Sequence, residues 1–455
     1  MQSALDTLCR MTQVAPPGRT PAGEELDRLR RLTGQLMASQ PDSHTELARY
    51  LSVQERGIPV PEQEAGAAIR GRRVLVTGGS GCIGTELLRT LAALQPSVLV
   101  SAANTPPAHS VPGVRYLHLD VGDRRRTEEC LRALRPDVVF HLAAQRDPGR
   151  AEEEAALTVY SNVLGTRNVA EAAERAEVPD LVYASTGKAL RPWTNDVYAE
   201  SKRMGEYVLS RVAARGRMRC TGVRFTHVVD NSIVLNRFRS ACHLGLPLRL
   251  HSAETVFYVQ SAKESAQLML VALAESTHRP NREMRMFMIR DLGWPVSLLD
   301  LALGIIEESG SDSPLYVAGY DPGYEQAPYP GLYDPALAGD VSPLINAIEA
   351  HEARESLSPA VDMIPVRAAN SPAFDAFLAE AERGCATNDD QAVREVFQSA
   401  AWALLEATVQ TVSPAILHRI TGLTAAHRPV MGPNHLRMDD MFRRFAGLAQ
   451  PVSFS

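Results

Sequence analysis

The chain has 455 residues, 45% hydrophobic and 22% charged, which excludes a mostly disordered protein. A formal net charge of -6 supplies no basic field for a phosphate backbone, so no nucleic-acid partner is expected. Its length is too great for one ordinary core, so a large domain with additions, or two to three units, is expected.

The opening segment has an acid at Asp6 and no continuous apolar run, and no later stretch reaches the length of a membrane span. A cytoplasmic chain is the expectation. Six cysteines (Cys9, Cys82, Cys130, Cys220, Cys242, Cys385) lie scattered without a CxxC, so neither a metal site nor a disulfide framework is expected. Residues 1–54 read as a helical arm, broken at Pro16, Pro17 and Pro21, with Leu26, Leu29, Leu32 and Leu36 at near-helical spacing. From Arg70 strand and helix alternate. Strands are predicted at 74–76, 98–100, 138–140, 181–184 and 220–224, with helices at 84–94, 126–134, 159–175 and from about 199. This alternation predicts an α/β fold, a doubly wound parallel sheet of Rossmann type over residues 55–300. After about Pro295 the alternation lapses, and residues 301–355, with parts of 227–260, read as a smaller irregular lobe. Residues 356–455 read as a helical extension, where Val393, Val396, Phe397, Ala400 and Leu404 form a stripe expected to serve core or oligomer packing.

Directly after the first strand comes Thr77-Gly78-Gly79-Ser80-Gly81-Cys82-Ile83-Gly84, followed by helix. Glycines at 78, 81 and 84 permit a tight turn, close approach to a pyrophosphate and close helix–strand packing, while the helix N-terminus offers amides to the anion. Gly78, Gly79, Ser80, Gly81, Cys82, Ile83 and Gly84 are therefore the expected cradle of a dinucleotide, NAD or NADP. The second strand carries Ala102 where an acid would meet the ribose, with Ser101 and Asn104 beside it and no arginine, so the choice between the two cofactors stays open. Asp120 and Val121 are expected at the adenine, and Ala143 and Ala144 where backbone approaches the cofactor.

A later strand ends in Ser185-Thr186-Gly187-Lys188, and Tyr198 follows at a helix start with Lys202 four residues on. That spacing puts phenol and ammonium on one helical face, where the positive charge is expected to lower the phenol pKa into use as a base. Thr186 is expected to orient the reacting hydroxyl. The chain has only three lysines (Lys188, Lys202, Lys263) among its 47 basic residues, and two of them fall here.

The glycine segment, His141-Leu142-Ala143-Ala144, Ser161-Asn162, Ser185-Thr186 and Tyr198 with Lys202 resemble the extended short-chain dehydrogenase/reductase family. Within it the chain is similar to CapD-type nucleotide-sugar dehydratases and epimerases of polysaccharide biosynthesis, through Gly57-Ile58-Pro59-Val60, the helix start at Asn162 and the strand-end Lys188. The likeness covers roughly residues 55–350. It implies Tyr198, Lys202, Thr186, Ser185 and Lys188 as catalytic residues, Asn162 on the cofactor side, a sugar-nucleotide-like small molecule as substrate, and a homo-oligomer. The departures fall where substrate is handled. The family's acid after the strand-end threonine is Gly187 here, its Arg-Phe-Gly-Asn reads Arg224-Phe225-Thr226-His227, a diphosphate-binding arginine is Val256, and its late Arg-Pro-Gly-Glu reads Asp321-Pro322-Gly323-Tyr324. Arg146, Arg150 or His227 are the replacements expected for an anion site.

The resemblance implies an NAD(P)-dependent enzyme that oxidises a substrate hydroxyl to a transient ketone. Gly187 favours an epimer or a ketone as product, while Lys188 keeps dehydration open. The alternatives are a dehydrogenase acting on a non-nucleotide sugar, cyclitol or natural-product intermediate, and a non-catalytic cofactor-bound scaffold.

Overall fold

The computed structural model describes residues 2–40, 43–279, 282–320, 329–366 and 371–448. The chain runs through α1 (Gln2–Val14), α2 (Glu24–Ser39), α3 (Ser43–Ser52), α4 (Glu62–Ile69), β1 (Arg73–Thr77), α5 (Cys82–Ala93), β2 (Val98–Ala103) and β3 (Val114–His118). Next come α6 (Arg124–Leu134), β4 (Val138–His141), α7 (Pro148–Glu153), α8 (Ala155–Val159), α9 (Gly165–Arg175), β5 (Asp180–Thr186), α10 (Val197–Ala214) and β6 (Arg219–Phe225). They are followed by β7 (His227–Val228), α11 (Ile233–His243), β8 (Leu248–Leu250), β9 (Val256–Phe257), β10 (Val259–Gln260), α12 (Ala262–His278), β11 (Met284–Ile289), β12 (Val296–Ser297), α13 (Leu298–Ser309) and β13 (Leu315–Val317). The last part holds α14 (Pro335–Ala338), β14 (Arg354–Glu355), β15 (Val361–Val366), α15 (Pro372–Thr387), α16 (Asp390–Val409), α17 (Pro414–Thr424) and α18 (Pro433–Phe445). Two compact units result, one of residues 1–57, 226–264 and 292–324, the other of residues 58–225, 265–291 and 325–455.

The larger unit is built on a nine-stranded sheet in the order β14-β15-β11-β6-β5-β4-β1-β2-β3. From β3 through β11 every neighbouring pair is parallel, and β15 joins antiparallel to β11. Strands covered on both faces are shielded from water along their length, and all seven residues of β5 are buried. The strand order reverses between β1 and β4, whose last residues Thr77 and His141 are register partners. In a doubly wound sheet the crevice for a ligand opens at the carboxyl ends of the strands flanking that reversal. The fold class is the one the alternation predicts. One predicted helix, 159–175, is interrupted by a π-helical turn at Tyr160–Leu164 between α8 and α9, a local widening that re-aims side chains.

In the smaller unit, the segment expected as a separate arm contributes to a shared core. Leu29, Leu36, Leu47 and Tyr50 are buried in one cluster with Leu235 of α11 and Leu301 and Ile305 of α13. Arg56 binds Glu264 and the carbonyls of Val259 and Leu292, fastening the end of this segment to its own unit.

The C-terminal helices belong to the larger unit. Phe374, Phe397, Trp402 and Leu404 share a core with Val197, Met204, Tyr207 and Val208 of α10. The predicted stripe is core: Val393, Phe397, Ala400 and Leu404 are buried, with Val396 packed against them. Polar ties add direction, since Arg394 of α16 binds the Glu152 carboxylate at 2.8 Å while Glu152 accepts the Val197 amide, also at 2.8 Å. Trp402 stacks on Trp193, in the loop before α10, at 4.4 Å between ring centroids. Among the described residues no single helix is long and apolar enough to cross a membrane.

Phe397→Ala should therefore lower stability by about 3–5 kcal/mol, the usual cost of a deleted buried phenyl ring. A reduced urea midpoint with an unchanged m-value is the expected reading.

Candidate functional site

The glycine loop leaves β1 at Gly78, whose φ of 72° favours glycine. A Cβ there would lie 2.6 Å from the Ala143 amide nitrogen, and one at Gly84 would lie 2.6 Å from the Gly78 carbonyl. A Cβ at Gly79 would overlap the Ser101 hydroxyl. These three glycines are demanded by the loop's own packing. Gly81 differs, because a Cβ there meets only the Gly78 carbonyl, at 3.4 Å, and otherwise points into open space. It precedes the first residue of α5 with no side chain capping the helix, and a helix N-terminus favours an anion. Ser80 sits at the rim, its hydroxyl 3.2 Å from that of Thr105. The donors fit a pyrophosphate, and a side chain at Gly81 would fill the cradle.

Behind the loop a buried hydrogen-bond chain has one self-consistent direction. Thr166 donates to the Asn162 carbonyl at 2.7 Å, so its oxygen accepts Nε2–H of His141 at 3.0 Å. Nδ1 of His141 is then the acceptor for the Thr77 hydroxyl at 2.7 Å. Burial first, and the Lys202 charge second, bring this imidazole down to about 3, so it is neutral. The chain joins the ends of β1 and β4 to α9. Asn162 extends it: its side chain accepts the Gln145 amide at 2.7 Å and donates to the Gln145 carbonyl at 3.0 Å and the Ser201 hydroxyl at 2.9 Å. Asn162, expected on the cofactor side, ties Gln145, next to Ala143 and Ala144, to Ser201 of α10. Asp120 turns the chain by accepting the Gly122 amide, and Val121 is held through its carbonyl by Asn168.

Tyr198 begins α10 behind the N-cap Asp196, which accepts the Ala199 amide. Burial pushes the phenol up to about 12; hydrogen bonding to Thr186 pulls it down, Asp196 pushes it up, and Arg146 pulls it down. Thr186 and Arg146 are thus at Tyr198. Lys202 does not produce the lowering that the helical spacing predicts. Its ammonium lies over the Tyr183 ring, 4.3 Å from the centroid, and burial brings it down to about 7. Ser185, expected in the catalytic set, has its hydroxyl engaged within the protein. Alternate strand residues face opposite ways, and its hydroxyl donates to Glu206 at 2.6 Å, beside the buried Glu206–Arg224 pair. Lys188 is paired with Asp196 at 3.0 Å, 6.0 Å from the Tyr198 ring centroid.

Gly187 is more than a missing acid. A Cβ there would stand 2.8 Å from Leu344 Cδ2, so the place of that side chain is filled by apolar carbon. His227 lies in the smaller unit, bonded to Ser232 at 2.9 Å and packed on Phe257. Arg150 pairs with Glu154 on the surface, and Asp321 to Tyr324 lie outside the described residues. Asp196, Tyr183 and Glu206 are the site residues that sequence reasoning missed. Only Asp196 carried a local signal, as an acid immediately before a helix.

Two outcomes follow from this geometry. Gly84→Val should lower the melting temperature sharply, whereas Gly81→Val should melt close to wild type, as differential scanning calorimetry would register. Because His141 stays neutral when folded but takes up a proton below about 6.5 when unfolded, stability should fall as pH drops from about 6.5 toward 3, by up to about 1.4 kcal/mol per unit from this group. In His141→Gln, urea titrations across that range should lose one proton's worth of slope.

The chain's relatives agree with this architecture. The polysaccharide biosynthesis protein family matches residues 74–325. The probable polysaccharide biosynthesis protein EpsC of Bacillus subtilis is 28% identical over 282 residues, covering 58% of this chain and 46% of its own length. The capsular polysaccharide biosynthesis protein CapD of Staphylococcus aureus is 27% identical over 279 residues, covering 56% of this chain and 44% of its own. The chain thus spans under half the length of these relatives. The X-ray structure of Pen from Bacillus thuringiensis superposes with a TM-score of 0.54 at 21% identity, over 65% of this chain and 89% of that one, a likeness of fold. With more than half of its length matched, from β1 onward, the chain belongs to the polysaccharide biosynthesis protein family.

Proposed function

We propose that this protein is an NAD(P)-dependent enzyme of the extended short-chain dehydrogenase/reductase type that oxidises a hydroxyl of a nucleotide sugar and delivers an epimer or a ketone. The observation that carries the reading is the meeting of Thr186 and Tyr198 at the carboxyl end of β5, in the same unit as an uncapped helix behind an open Gly81. Residues 78–84 would hold a nicotinamide dinucleotide, which would supply the hydride acceptor for oxidation of the carbinol. The chain's own residues handle the proton. Tyr198 Oη takes it from the substrate hydroxyl, with the Thr186 hydroxyl beside it as the orienting group. Burial alone would leave the phenol too weak an acid for this work, and the Thr186 hydrogen bond and the positive charge of Arg146 offset it.

Gly187 tilts the outcome away from loss of water. With Leu344 over that position, no carboxyl group stands there to protonate a departing hydroxyl, and the elimination barrier rises by about 3–5 kcal/mol. A second reading, a non-nucleotide sugar or cyclitol as substrate, is favoured by Val256, which is 57% exposed where the resemblance implies a diphosphate-binding arginine.

Gly81→Val should fold yet fail to bind NAD or NADP in calorimetry; binding equal to wild type would sink the cradle. Tyr198→Phe should lower turnover at least about a hundredfold while retaining cofactor. Incubation with UDP- and dTDP-hexoses, followed by chromatography and mass spectrometry, tests the reaction: a stereoisomer of unchanged mass, or a product two hydrogens lighter, is expected. A product lighter by one water at enzymatic rate would overturn the choice, and inertness toward every nucleotide sugar would favour the second reading.

A further inference from the structure

Lys202 poses a physical problem that the proposed reaction leaves unanswered: what keeps an ammonium in a site where it is 3% exposed. Desolvation favours the neutral amine, and the nearby groups that would ordinarily oppose it are committed elsewhere. His141 is neutral, with Nδ1 accepting from Thr77 and Nε2 donating to Thr166, so it has no lone pair to offer. Glu206 raises the lysine's proton affinity, but its carboxylate already holds Arg224 at 3.0 Å and the Ser185 hydroxyl at 2.6 Å. Tyr198 is a neutral phenol held up by burial. What remains is an aromatic face. Nζ of Lys202 stands 4.3 Å from the centroid of the Tyr183 ring, well inside the range of a cation–π contact.

The placement of that ring is specified twice over. Tyr183 is buried in β5, and its hydroxyl donates to the Lys202 carbonyl at 3.4 Å, so one side chain meets the lysine at both backbone and ammonium. Gly205 of α10 makes the approach possible, because a Cβ at that position would overlap the Tyr183 hydroxyl. A glycine in the interior of a helix costs about 1 kcal/mol relative to alanine, and here it admits the ring.

We propose that Tyr183 is the positioning residue for Lys202: its ring face seats the side chain and holds it as an ammonium within the buried site. The proposal rests on the proposed function and deepens it by saying how the lysine four residues beyond Tyr198 is held. Its consequence is that the charge state of Lys202 depends on a residue of β5 and not on α10 alone.

The chain's composition makes the test direct, since only three lysines are present. Protein grown on lysine labelled with carbon-13 at Cε gives three signals, assigned by Lys188→Arg, Lys202→Arg and Lys263→Arg, and the Lys202 signal is followed by NMR against pH. The wild-type midpoint is expected near 7. Tyr183→Leu removes the ring and should lower the midpoint by about one unit, a tenfold loss of proton affinity, the scale of a desolvated cation–π contact. Tyr183→Phe keeps the ring face and should stay within a few tenths of wild type. Gly205→Ala, which displaces the ring without altering it, should move the midpoint in the same direction as Tyr183→Leu and serves where the leucine variant fails to fold. A Lys202 midpoint unchanged in the leucine or alanine variant would overturn the proposal, as would a phenylalanine variant that shifts as far as leucine. The reading is of Lys202 itself, so absence of turnover on every sugar tried would defeat the enzymatic proposal and leave this one standing.

Discussion

The hydrogen-bond chain from Thr77 through His141 to Thr166 is the constraint on which the rest of the site depends. It crosses the point where the strand order reverses and joins the ends of β1 and β4 to α9. Because Thr166 is committed as a donor to the Asn162 carbonyl, the direction of every other bond follows, and the imidazole can be accommodated only neutral. Its geometry brings Ala143 against Gly78, which is why that position tolerates no side chain. The glycine loop and Tyr198 are then tied to one buried network, the second through Asn162 and Ser201, whose hydroxyl donates to the Tyr198 carbonyl at 2.8 Å.

Helix α10 shows the opposite economy. A helix flanking a doubly wound sheet ordinarily keeps one face in water, yet α10 carries buried Glu200, Lys202, Arg203 and Glu206. The structure reconciles this by pairing: Arg203 takes Glu200 at 2.6 Å, and Arg224 takes Glu206 at 3.0 Å and Glu349 at 2.8 Å. Buried pairs of this kind contribute little net stability, but removing one partner strands a charge and is severe. The C-terminal helices enclose this arrangement and reach the first turn of α10 through Arg394 and Glu152. The extension lies beyond the family match, and within its own unit it is part of the frame that holds α10.

The site also separates two roles that adjoining residues suggest equally. Ser185 and Thr186 are one bond apart in sequence, and a strand turns them to opposite sides. One hydroxyl is spent on the buried carboxylate of Glu206, while the other reaches Tyr198. Lys188 and Lys202, the two lysines of the region, divide in the same way: Lys188 is bound to the helix cap Asp196, and Lys202 rests on an aromatic ring.

Sequence alone determined whatever depends on neighbours along the chain. Alternation of strand and helix fixes the sheet class; glycines spaced between strand and helix fix the loop; four-residue spacing fixes Tyr198 and Lys202 on one helix, since each is a matter of backbone period. Tertiary structure decided what depends on residues brought together from far apart. Leu344 closes the position of Gly187, Phe397 and Trp402 cover α10, and the N-terminal leucines share a core with α13. The ammonium of Lys202 lies on Tyr183 because β5 and α10 meet there and Gly205 lets them meet closely. No spacing rule encodes such a contact, because its energy comes from burial and from the charge of a partner on another element.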